Sequence, residues 1–216
     1  MIYENGGGVA ALLATSLSVA GPASAFTGLS FSSPGATNVD STDTLGYQFQ
    51  VGASSISLTG LGFYDFGQDG LQTAHDVGLW NNSGSLLTQV SVASGTSAPL
   101  VGFYRYAAVT PITLASGQTY TVGGLFQTGT DKYSYNIVGL TSDPAINIII
   151  PTVYNTGSTL TMPTSSFPGN NFTGADIQFT TATPVPFEFE PTGGLMVLGG
   201  AWLLRRHLKN KKSTKV

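Results

Sequence analysis

Apolar and polar residues alternate with a period of two through the middle of the chain. Leu45, Tyr47, Phe49 and Val51 are separated by Gly46, Gln48 and Gln50, the pattern of a strand with one buried face. Leu86, Thr88, Val90 and Val92 repeat it against Leu87, Gln89 and Ser91, and Ala175, Ile177 and Phe179 against Asp176, Gln178 and Thr180. Tyr120, Val122 and Phe126 share one face around Gly123-Gly124. Between Ile56 and Phe63 the phase slips, which an extra residue at Gly60 would produce as a β-bulge. Further strands are predicted over 77–81, 103–110 and 145–154. Asp69-Gly70, Asn82-Ser83-Gly84, Ser116-Gly117 and Pro168-Gly169-Asn170 supply turns between them. Helical periodicity is nearly absent from residues 26–183. About eight or nine short strands with frequent turns predict an all-β domain, an antiparallel β-sandwich of jelly-roll type, with a barrel as the other closure.

The two ends break this pattern. An apolar stretch over 9–19 is followed by Gly21-Pro22 and Ala23-Ser24-Ala25, small residues of the kind signal peptidase accepts. Residues 1–25 are therefore expected to be an export signal peptide, although its opening carries no Lys or Arg. At the far end, Pro184 to Pro191 leads into an apolar segment, 192–204, and then Arg205-Arg206. An apolar run followed by arginines is a stop-transfer pattern. Its length predicts a short single membrane helix.

Charge sharpens the division. Six of the eight Lys and Arg fall in the last twelve positions, whereas residues 26–183 hold eight Asp, no Glu, Arg105 and Lys132, a net charge of −6. So acidic a body repels phosphate backbones and excludes nucleic acid as its partner. The absence of Cys excludes disulfides, thiol nucleophiles and thiolate metal sites.

The ordered tail, with Pro186-Phe187-Glu188, a short Gly-rich apolar segment and Arg205-Arg206 at the start of a basic cluster, resembles the PEP-CTERM sorting signal. The usual Pro-Glu-Pro is replaced by a Pro-Phe-Glu motif similar to the cyanobacterial variant. The resemblance implies an exosortase as partner, with transient anchoring in the inner membrane and later transfer to the cell surface or outside. Residues 184–216 are then the sorting signal and 26–183 the sandwich domain. The body also resembles an uncharacterised bacterial extracellular β-sandwich family that often carries such tails. The matching residues are Leu45 to Gly52, Asp65, Asp69-Gly70-Leu71, His75, Val77 to Trp80, Phe103-Tyr104-Arg105-Tyr106, Pro111, Leu114 and Gly117 to Tyr120. That resemblance implies the fold and no activity.

Catalytic chemistry has few residues to draw on. There are two His, and His207 belongs to the tail. His75 with Asp76 or Asp69 would be the only basis for a Ser-His-Asp triad, and the body has no Gly-x-Ser-x-Gly elbow. A glycosidase would have to pair Asp65 with Asp69 or Asp76. The same three carboxylates, Asp65, Asp69 and Asp76, are candidate calcium ligands on a glycine-containing loop. The competing reading makes Asp69-Gly70 a turn and the other Asp side chains caps on backbone N–H groups. Tyr104 and Tyr106 share a strand face and suit either core packing or stacking on sugar rings. Arg105 is expected to pair with one of the Asp residues. Together these features predict no enzyme but an exported, non-enzymatic surface or matrix protein, with a carbohydrate-binding, lectin-like module as the alternative. Expected partners are signal peptidase, an exosortase and extracellular polysaccharide.

Overall fold

The computed structural model describes residues 25–39, 42–127, 129, 131–167 and 174–181. The export segment up to Ser24, the sorting motif Pro186, Phe187 and Glu188, and Arg205 and Arg206 lie outside the described residues. Fifteen strands and no helix make up the described part: β1 (Phe26–Thr27), β2 (Leu29–Ser30), β3 (Ala36–Val39), β4 (Asp43–Val51), β5 (Ile56–Tyr64), β6 (His75–Asn81), β7 (Leu86–Val92), β8 (Leu100–Val101), β9 (Tyr104–Leu114), β10 (Thr119–Leu125), β11 (Lys132–Tyr135), β12 (Thr141–Ser142), β13 (Ile146–Thr156), β14 (Ser165–Ser166) and β15 (Ala175–Thr181). The eight strands of seven residues or more fall on the predicted segments: those marked by alternation or its slipped phase, and the further strands over 77–81, 103–110 and 145–154.

Two antiparallel sheets form a β-sandwich. One has the order β1-β15-β5-β9-β8, the other β14-β13-β4-β10-β6-β7. Their facing sides share one core, in which Tyr47, Phe49 and Val51 of β4 meet Leu58, Leu61 and Phe63 of β5, Val122 of β10, and Ile177 and Phe179 of β15. The predicted inward face of β4 is therefore the buried one, because a slip of one residue would turn the polar set into the core. The bulge lies within one residue of its expected place. Thr59 has no opposite number on β15, where Gln178 faces Gly60 and Phe179 faces Leu58. Across from it on β9, register is lost between Ala108 and Ile112, and Pro111, which has no N–H to donate, sits in that gap.

One end of the outer face of the five-stranded sheet is also covered, around Tyr64, Tyr104 and Tyr106. Two small ribbons, β3–β11 and β2–β12, lie outside the main sheets. Ser134 of β11 shares a 2.5 Å hydrogen bond with the Tyr64 hydroxyl, and Phe31, next to β2, stacks on Phe103 at 4.6 Å. Tyr64, Tyr104 and Tyr106 thereby form a second, aromatic core. The two tyrosines of the Phe103–Tyr106 run are packing residues, 2% and 4% exposed.

Candidate functional site

The connection from β5 to β6 carries the densest polar chemistry. It leaves β5 at Asp65, turns through Gly67, Gln68 and Gly70, all at positive φ, and enters β6 at His75. Gly70 is required by its φ of 116°, which a side chain would strain. Asp65 is almost fully buried. Its Oδ2 accepts from Arg105 Nε at 2.6 Å and from Gly70 N at 3.1 Å. Arg105 also donates from Nη1 to the carbonyls of Thr96 and Ala98, and from Nη2 to that of Gln68. One guanidinium thus ties the β5–β6 connection to the segment before β8, and the expected pairing of Arg105 with an Asp is realised by Asp65.

Beneath this loop lies a second pair. His75 is wholly buried and stacks on Phe63 with ring centroids 3.8 Å apart. Its Nδ1 faces the Leu125 carbonyl at 2.8 Å and its Nε2 the Asp131 carboxylate at 2.7 Å. Asp131 also accepts from the backbone N–H groups of Gln72 and Thr73. Burial raises its carboxyl, but the hydrogen bonds and charge supplied by His75 and the two N–H groups outweigh that and leave it below the usual carboxylate range. Thr73 Oγ1 lies 3.3 Å from the same His75 nitrogen that Asp131 holds more closely. Both ring nitrogens are engaged by groups of the fold and the ring is wholly buried, so neither is open to a substrate.

Above the pair opens a cleft of about 300 Å³, lined by Phe66, Gly67, Asp69, Gly70, Gln72, Asp131 and Lys132. Phe66 is 37% exposed, and the Lys132 ammonium sits 5.2 Å from its ring centroid, within reach of a cation–π contact. The cleft combines an apolar ring with two carboxylates, an amide and an ammonium.

The structure does not gather the three expected calcium ligands. Asp65 is spent on Arg105, Asp69 is exposed at the cleft, and Asp76 points outward from β6 opposite Ser91. Among the described residues no three His, Cys, Asp or Glu side chains form a group able to hold a metal ion. The physical reason is the strand pleat: His75 takes the inward side, so its neighbour Asp76 takes the other. Nor does either Asp76 or Asp69 orient His75; that role falls to Asp131.

A third polar knot, at Asp176, had no role in the sequence reading. Asp176 is fully buried in β15 and accepts at Oδ1 from the Tyr47 hydroxyl (2.7 Å) and Leu29 N (3.0 Å), and at Oδ2 from the Tyr106 hydroxyl (2.6 Å). Gly62, between Asp176 and Tyr106 in the sheet, makes this possible: a Cβ there would lie 2.6 Å from the Tyr106 ring. Burial lifts the Asp176 carboxyl from 3.8 to about 7 against the lowering effect of its hydrogen bonds. Tyr47, Tyr104 and Tyr106 are all pushed up by burial and then by this carboxylate, so all three stay protonated, and Tyr47 and Tyr106 donate to it.

Fold and site together define a β-sandwich module in which Asp65, Asp131 and Asp176 are held by partners within the body. A family model described as a domain of unknown function, DUF4082, matches residues 12–174, and the chain belongs to that family. No curated protein matches it.

Proposed function

We propose that the chain is an exported, non-enzymatic protein of the cell surface or extracellular matrix, released from its leader by signal peptidase and passed through the inner membrane to an exosortase. One observation carries this reading: Pro186-Phe187-Glu188, the apolar segment 192–204 and Arg205-Arg206 follow one another at the C-terminal end. No helix among the described residues is long and apolar enough to cross a membrane, and the expected anchor lies outside them. Internal use of His75, Asp131, Asp65 and Arg105 supports a structural or adhesive role over catalysis. Jelly-roll kinship of the sandwich belongs to this proposal too and rests on the count of long strands. Intact-mass analysis of protein from the native host tests the sorting claim. The expected species begins at Phe26 and lacks the tail; a surface species retaining residues 195–204 would sink it.

A second reading, carbohydrate binding, is favoured by the cleft. An exposed ring at Phe66 beside Asp69, Gln72 and Lys132 offers a stacking surface with hydrogen-bonding groups around it. Calcium could assist from Asp69 but not through the three-carboxylate site expected from sequence. A glycan array probed with the full-length protein, with and without calcium, decides it. Retention lost in Phe66→Ala supports the cleft, and no retained glycan removes the reading.

A further inference from the structure

Sheet edges expose unpaired backbone groups and are usually kept short, charged or interrupted by proline. Three of the four edges of the two large sheets here are two-residue strands: β1, β8 and β14. The fourth is β7, seven residues long, reading Leu-Leu-Thr-Gln-Val-Ser-Val with no charge, Pro or Gly. Its only irregularity of register lies at the Leu86 end. Among the described residues its backbone hydrogen-bonds as a ladder to β6 alone, while across the sandwich it packs against β9 and β5. Leu86 and Leu87 stand 46% and 37% exposed beside it.

The occupant that fits this edge is a second copy of the same strand. Each body carries a net charge of −6, so copies repel one another, whereas β7 itself holds no charged residue. The nearest acid, Asp76, lies one strand inward, opposite Ser91. The sequence is also self-complementary when turned antiparallel about its midpoint. Leu86 would face Val92, Thr88 would face Val90, Leu87 would face Ser91, and the Gln89 amides would meet each other. Thr88, Val90 and Val92 lie on the face turned to the core, and Gln89 and Ser91 on the other with Leu87 beside them, so the cross-strand partners are of matching size. We propose that β7 pairs with β7 of a second copy about a twofold axis at Gln89, joining the two six-stranded sheets into one. The pairing would extend over about 23 Å and form an isologous contact that closes on itself. It adds a self-association surface to the proposed structural role and does not depend on how the chain is sorted.

Because the chain has no Cys, Gln89→Cys gives the full-length protein a single thiol. In detergent that accommodates both apolar ends, mild oxidation should link Gln89→Cys into a covalent dimer about tenfold faster than Thr113→Cys, an exposed control on β9. By sedimentation, Gln89→Lys and Gln89→Glu should each weaken association about tenfold, and an equimolar mixture of the two should restore it. Restoration also demonstrates that both variants are folded. Equal cross-linking at positions 89 and 113, a dimer indifferent to Gln89→Lys, a monomer at every concentration, or capture of a foreign strand in place of a second copy would each overturn the proposal.

Discussion

Replacing Asp176 by Asn should remove a loss of stability that the protein suffers as pH rises. In the unfolded chain this carboxyl ionises near its ordinary 3.8, whereas in the folded chain burial holds it to about 7. Between those values the unfolded state has already lost its proton and the folded state has not, so stability falls as pH rises through the window and levels off above it. The full displacement corresponds to about 4 kcal/mol, a large share of the 5–15 kcal/mol that typically separates folded from unfolded domains. An Asn cannot ionise. Its carbonyl can still accept from Leu29 N and Tyr47, and its amide can donate to the Tyr106 oxygen, which imitates the protonated acid. Near pH 8, Asp176→Asn should therefore be more stable than wild type by about 2–3 kcal/mol, after allowing for imperfect geometry; near pH 4.5 it should be equal or slightly less stable. Urea unfolding followed by far-ultraviolet circular dichroism at a series of pH values measures both curves. A wild-type curve that is flat or rising from about pH 4.5 to 7.5, or an Asn variant destabilised equally at both ends, would refute the reasoning.

Asp65→Ala should leave the Arg105 charge buried without its partner and cost about 3–5 kcal/mol, read from the urea midpoint, whereas Asp69→Ala on the exposed side of the same loop should cost under about 1 kcal/mol. Gly62→Ala drives a methyl group into the Tyr106 ring and should cost about 1–3 kcal/mol while weakening the pH dependence attributed to Asp176, since Tyr106 is displaced from it. Asp131 has the opposite sign from Asp176. Its folded carboxyl is held low, so its contribution is present above its unfolded value and lost as pH falls through the lower folded one. Acid unfolding of Asp131→Asn should accordingly be less steep below about pH 4 than that of wild type.

The long strands were legible because each buries one face, and burial imposes alternation on seven or more residues. The small ribbons β2, β3, β11 and β12 were not, since two to four residues are too few to display a period. Arg105 could be assigned an acidic partner from composition alone: two cations among eight Asp leave few other ways to bury one. His75–Asp131 and Asp176–Leu29 were hidden by distance, their partners being 56 and 147 residues apart. Asp176 was correctly placed off the main core face of β15. What alternation along one strand does not convey is that this second face is covered at Asp176 as well. The only sequence trace of that burial is an Asp in the middle of a strand, a position the residue usually avoids.

The pairing of β1 with β15 also determines when the body can fold. Phe26 and Thr27 lie against Phe179 and Gln178, so the first described strand finds its neighbour only in the last. A chain threaded across a membrane from its N-terminal end would emerge with that neighbour still on the far side. The five-stranded sheet would remain without its β15–β5 junction, and the Asp176 knot unformed, until residue 181 had passed through. Contacts this remote also make folding slow once it begins. On the proposed export route, topology would keep translocation and folding in sequence, because the five-stranded sheet closes only when β15, the last described strand, arrives.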